Sequence, residues 1–120
     1  MIYQQLIKQT VIGWFTGEPR DSRWPIVRRR FILQHPECSA CGSKYNLEAH
    51  HIIPFHIDKS LELIESNLIT LCRYCHFVHG HFHDWSKWNI TVVEDVKLFR
   101  AKIADFDKGN RRKLLTCQSQ

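Results

Sequence analysis

Four cysteines in two C-x-x-C pairs, Cys38-Ser39-Ala40-Cys41 and Cys72-Arg73-Tyr74-Cys75, frame the middle of the sequence. Each pair supplies two corners of a tetrahedron from one tight turn, the pattern of a structural zinc site. Histidines lie just inside and just outside that frame: the doublet His50-His51, and His76 directly after Cys75. Imidazole accepts a proton near neutral pH and ligates divalent metals, so these residues suit a general base and a second metal centre. Asn67 stands between the doublet and the second cysteine pair, just before a short apolar run. Alternation along a strand sends His50 and His51 to opposite sides, so using both at one site calls for a bend or bulge there.

The elements that must position these residues can be read around them. Asp21-Ser22-Arg23-Trp24-Pro25 looks like a helix start, with Ser22 or Asp21 near the cap and Pro25 in the first turn. That helix is expected to stop at about Gln34, before Pro36, and to bury Trp24, Val27, Phe31 and Ile32. Leu47 to Ile53 reads as a strand that ends in the doublet, with Pro54 as its terminator, and Leu68 to Cys72 as a second, apolar strand. A long connection over 54–66, with a short turn around Leu61-Glu62-Leu63, joins them. A helix follows from Arg73 to Gly80 or Phe82. Thr91 and Glu94 fit a capping box for a last helix carrying Val93, Val96, Leu98, Phe99 and Ile103 and ending at Gly109, with a frayed basic tail beyond it. Trp85 and Trp88 are expected to pack on the core. Residues 1–22 suggest a short amphipathic helix or an arm.

At 120 residues the chain is expected to form one domain with a modest core, for which a structural metal would be useful. The net charge of +5 is unevenly spread. Residues 1–36 carry six Lys/Arg against two acids, residues 84–120 eight against five, and residues 37–83 only three against five. Basic flanks around a mildly acidic centre suit a polyanion held on both sides of a metal site. No apolar run reaches the roughly 20 residues of a membrane span, and no secretory signal is evident. Cysteines in metal-type pairs favour a reducing compartment, so a cytoplasmic location is expected, with Cys117 an incidental free thiol.

The order Cys38-x-x-Cys41, Leu47-Glu48-Ala49-His50-His51-Ile52-Ile53-Pro54, Asn67-Leu68, Leu71-Cys72-x-x-Cys75-His76 resembles the HNH endonuclease family in its zinc-containing subclass. The likeness covers about residues 22–90. The Trp24-Pro25 start, the Pro54-Phe55-His56 continuation and Gly80-His81 are similar to small stand-alone phage and bacterial nucleases. The resemblance implies an α+β fold, a small ββα-metal (His-Me finger) core over about 36–83, braced by zinc on Cys38, Cys41, Cys72 and Cys75, with flanking helices. It implies His51 as general base, His50 and His76 as ligands of a catalytic divalent metal, and Asn67 as an orienting residue. Many members have Asp where this chain has His50; two imidazoles without a carboxylate favour Mn²⁺, Ni²⁺, Co²⁺ or Zn²⁺ over Mg²⁺.

Arg28, Arg29 and Arg30 are candidates for a phosphate grip, against the plainer reading of a solvated helix face. His79 and His81 are candidates for phosphate contact, against exposed helix-end histidines. The implied activity is hydrolysis of DNA, double-stranded and with low sequence specificity, by a monomer or weak dimer. The alternatives are a non-catalytic zinc knuckle that binds nucleic acid through its basic flanks, and a protein–protein adaptor.

Overall fold

The structure, a computed structural model, describes residues 19–117, and side chains through residue 109. The short amphipathic helix or arm expected over 1–22 lies mostly outside the described residues, as does the side chain of Cys117. Helix α1 (Trp24–Gln34) leads into the first cysteine turn; strands β1 (Leu47–His51) and β2 (Leu68–Cys72) follow, joined by a connection with single 3₁₀ turns at Lys59–Leu61 and Glu65–Asn67. Helix α2 begins as Arg73–Cys75 and widens into a π-helical turn, His76–Gly80, before the long α3 (Val92–Cys117). Among the described residues no helix is long and apolar enough to cross a membrane.

The two strands pair antiparallel in an unbroken register from Leu47 opposite Cys72 to His51 opposite Leu68. Side chains therefore alternate faithfully between the two faces of the ribbon. One face carries His50, Ile69 and Leu71 toward α2 and α3, where Cys38, Ala40, Cys75, Val92 and Val96 complete a buried cluster. The other carries His51 and Leu68 toward α1, where Val27 and Phe31 are buried, with Trp24, Ala49 and Leu63 packed beside them. The result is the expected α+β arrangement, a ββα core with a helix on either side and four cysteines drawn together.

Several local expectations are corrected. No bulge interrupts the doublet. The strand ends at His51, two residues early, because Ile53 is held by the Asn67 side chain instead of a strand partner. Arg23, not Ser22 or Asp21, occupies the α1 cap position; Asp21 serves it by accepting the Arg23 N–H. The capping box does not form: Thr91 Oγ1 donates to Asp95 and Asn89, and Glu94 plays no part in it. Leu98 is 64% exposed instead of buried, since Val92 and Val96 form the inward stripe. Helix α3 runs through Gly109 to Cys117, so no frayed tail starts at Asn110. A single interior glycine costs a helix only about 1 kcal/mol, which the Arg, Lys and Leu residues around it in the sequence offset.

Candidate active site

The cysteine turns are built alike. Gly42, at a φ of 76°, allows the chain to reverse after Cys41, and its N–H donates to the Cys38 carbonyl. The N–H groups of Cys41 and Cys75 point at the sulfurs of Cys38 and Cys72, each at 3.5 Å. All four sulfurs lie within 4.8 Å of one another, with Cys38 and Cys75 buried. Burial pushes the Cys38 thiol up, but the peptide donors of Cys41, Cys72 and Ala40 outweigh it and hold it at about 7. The compact S₄ set, with peptide N–H groups aimed at two of its sulfurs, fits zinc.

On the far side of α2, His50, His76 and His81 bring one ring nitrogen each within 4.8 Å of the others. Sequence inspection paired His50 with His76 and put His81 on phosphate; the structure brings His81 into the trio. The cause is the π turn. Its wider winding, with i→i+5 spacing, lays His81 over His76, whereas a regular α-helix would have brought His79 and His83 to that face. His81 Nε2 sits 3.2 Å from His76 Nε2. Each ring is anchored through its other nitrogen: His76 Nδ1 lies 2.6 Å from Glu48 Oε2, and His81 Nδ1 donates to the Lys87 carbonyl. Glu48 shares its face of β1 with His50, two residues on, and that alternation is the signal that would have found it.

Gly80 is what lets the rings meet. A Cβ there would stand 3.0 Å from His50 Cε1 and 3.2 Å from His76 Cδ2. His50 Nε2 is buried with no hydrogen-bond partner, an atom that costs free energy unless something ligates it. Burial, reinforced by the neighbouring histidines, holds the His50 imidazole at about 3. Three converging imidazoles, two with their outer nitrogens tied to acceptors, fit a divalent metal.

His51 faces the other side of the ribbon, stacked on Trp24 with ring centroids 4.4 Å apart. Its Nε2 lies 2.9 Å from the Glu62 carbonyl oxygen. Asn67, also buried, accepts from the Ile53 N–H at 2.9 Å and donates to the Ile53 and Leu61 carbonyls at 3.0 and 3.3 Å. It thereby pins both the chain leaving His51 and the connection that carries Glu62. Glu62 is buried in turn, gripped by Arg20 at 3.1 Å and by the Asp21 N–H.

Residues 38–82 match the family model described as HNH endonuclease. The match spans less than half of the chain, and over that segment the sequence is similar to HNH endonucleases. No curated protein and no solved structure matches the chain. The matched segment opens onto a cleft of about 610 Å³ that crosses the end of β1, so that His50 and His51 both reach it from opposite faces. Helix α1, outside the matched segment, forms one wall with Trp24 and Arg28, and Arg20 precedes it. Arg28 has no ion-pair partner among the described residues, whereas Arg30 is engaged by Glu65 at 2.9 Å. Arg29 and Arg30 do not line the cleft, nor does His79, which stacks on Phe99. Trp85 and Trp88, expected in the core, form the opposite wall; Trp85 lies against the rings of His76 and His81, and Trp88 against His56.

Proposed function

We propose that this protein is a metal-dependent DNA endonuclease of the HNH type in which His51 is the general base. The observation that carries the reading is the orientation of His51. A carbonyl oxygen can only accept, so the Glu62 contact puts the proton on Nε2 and leaves Nδ1 as the free base, on a ring that lines the same cleft as His50, His76 and His81. His51 Nδ1 takes the proton from the attacking water, and Trp24 and the Glu62 carbonyl keep the ring from turning away. Asn67 holds the backbone on either side of that pair. His50, His76 and His81 would hold a divalent ion, which would supply stabilisation of the charge that develops on the phosphate and on the leaving 3′ oxygen. Arg28 contacts a backbone phosphate on the α1 side. The products carry 5′-phosphate and 3′-hydroxyl ends.

Zinc on Cys38, Cys41, Cys72 and Cys75 is the brace. It ties the turn after α1 to the start of α2, the helix that presents His76. The substrate is double-stranded DNA taken with low sequence specificity, and the protein works as a monomer or weak dimer. The donor set contains three imidazoles and no carboxylate, which favours Mn²⁺, Ni²⁺, Co²⁺ or Zn²⁺ over Mg²⁺. Plasmid cleavage across a panel of these metals tests the proposal. Cleavage in at least one of the softer metals is expected, and best cleavage in Mg²⁺ would remove the metal preference. An intact plasmid in every metal, together with salt-dependent DNA binding, would favour the non-catalytic zinc module instead.

A further inference from the structure

A second cleft adjoins the catalytic one and has no part in the hydrolysis described above. It is about 470 Å³ and is lined by Tyr45, Tyr74, Phe77 and Trp85, with Arg73 at its border. Tyr45 is 80% exposed and Tyr74 71%, and neither ring stacks on another among the described residues. Exposed tyrosines are ordinary on a surface; two held on rigid supports around one concavity are not. Tyr74 sits inside the second cysteine turn. Tyr45 follows the first, its N–H accepted by Ser43 Oγ, and the next residue, Asn46, receives the Arg73 N–H on its carbonyl.

Trp85 and Arg73 belong to both clefts. Trp85 lies against the rings of His76 and His81. The Arg73 guanidinium lies 5.1 Å from the Trp85 ring centroid and pairs with Glu48 at 2.9 Å. A strand whose phosphate lies at the histidines therefore meets this aromatic cleft as its next surface. Four aromatic rings with a single cation at the border suit a flat π-face more than a phosphate. The bases of an intact duplex have both faces covered by their neighbours, so only an unpaired base can enter.

The geometry points to a subsite in which Tyr45 and Tyr74 stack the base of an unpaired nucleotide next to the scissile phosphate. The substrate is then double-stranded DNA that carries a gap, flap or single-stranded stretch beside the cut. This rests on the nuclease reading for what happens at the neighbouring phosphate, but the stacking itself can be measured without cleavage.

The test uses the full-length, zinc-loaded His51→Ala protein and a gapped DNA duplex carrying a fluorescent adenine analogue at its one unpaired position. Quenching of the probe on binding is expected. Adding Tyr45→Ala and Tyr74→Ala should abolish the quenching and weaken binding to the gapped probe at least about tenfold. Replacing both by Phe should preserve the two signals, because the ring face is what binds. Zinc content per chain verifies that each variant is folded. An unquenched probe, or equal affinity of the parent and the double Ala variant for gapped DNA, would overturn the subsite. If the wild-type protein cuts DNA while the probe stays unquenched, the subsite falls and the nuclease stands. Quenching without cleavage by wild type supports the subsite and removes the nuclease reading alone.

Discussion

His51 donates its Nε2 proton to the carbonyl oxygen of Glu62 across 2.9 Å, and that one bond decides which ring nitrogen carries no proton. It also has a pH consequence. Burial pushes the His51 imidazole below the ordinary histidine value of 6.5; the Glu62 hydrogen bond opposes this and Arg20 reinforces it. A base works only when unprotonated, and lowering its pKa extends the unprotonated range downward. Cleavage under single-turnover conditions should thus hold from about pH 8 to about pH 6.5 and decline only below that. An acid limb centred above pH 7 would contradict this.

Glu48 orients one ring of the histidine trio. Its carboxylate lies against His76 Nδ1 and is also held by Arg73. Glu48→Gln keeps the size and removes the charge, so it should weaken affinity for the histidine-bound metal by about 10–100-fold. Zinc on the cysteines should be unaffected. Titration calorimetry with Mn²⁺ on zinc-loaded protein reads the first, and zinc content per chain the second.

Gly80 has a steric role at the same centre. Gly80→Ala places a methyl group 3.0 Å from a His50 ring that is buried and has little room to yield. Metal binding by the trio should weaken by at least about tenfold, the direction expected when ligands are displaced by a few tenths of an ångström. Unaltered Mn²⁺ affinity in the same titration would show that the rings can move aside.

Removing Asn67 should loosen the fold and the base together. Asn67→Ala leaves the Ile53 N–H and the Ile53 and Leu61 carbonyls without their partner, at a cost of at least about 2 kcal/mol. Asn67→Asp retains the acceptor for Ile53 but turns a buried carboxylate oxygen against both carbonyls, and should destabilise at least as much as Ala. Urea unfolding with zinc present measures it, and a loss under about 0.5 kcal/mol for Ala would mean the network is slack.

Zinc should decide whether the protein folds at all. Among the described residues the buried apolar side chains are few, and each contributes about 1.5–3 kcal/mol. Zinc–thiolate binding contributes about 10–16 kcal/mol in small domains, as much as a typical domain's entire net stability of about 5–15 kcal/mol. Cys38→Ser should lose both bound zinc and the cooperative thermal transition, and a chelator strong enough to remove zinc should do the same to wild type. Retention of a cooperative transition in the zinc-free protein would contradict this.

The parts that were legible in the sequence are those governed by local rules. Cysteine spacing, the short apolar run at Leu68–Cys72 and Pro25 at a helix start each act over a few residues, and the elements they imply are present. What escaped depended on winding or on distant chain. His81 joins His50 and His76 because α2 widens into a π turn, a departure from 3.6-residue periodicity that no residue type announces. Arg20 and Glu62 meet only after folding, 42 positions apart. The doublet needed no bulge because the cleft crosses the strand end, so opposite faces open onto one space.

The most direct measurement is single-turnover cleavage of duplex DNA by wild type and His51→Ala, with cysteine-bound and histidine-bound metal quantified in both. Both proteins should carry the same metal and bind DNA equally, while His51→Ala cuts about 10²–10⁴-fold more slowly. Equal rates would show that His51 is not the base, and a wild-type protein inert in every divalent metal would contradict the nuclease assignment itself.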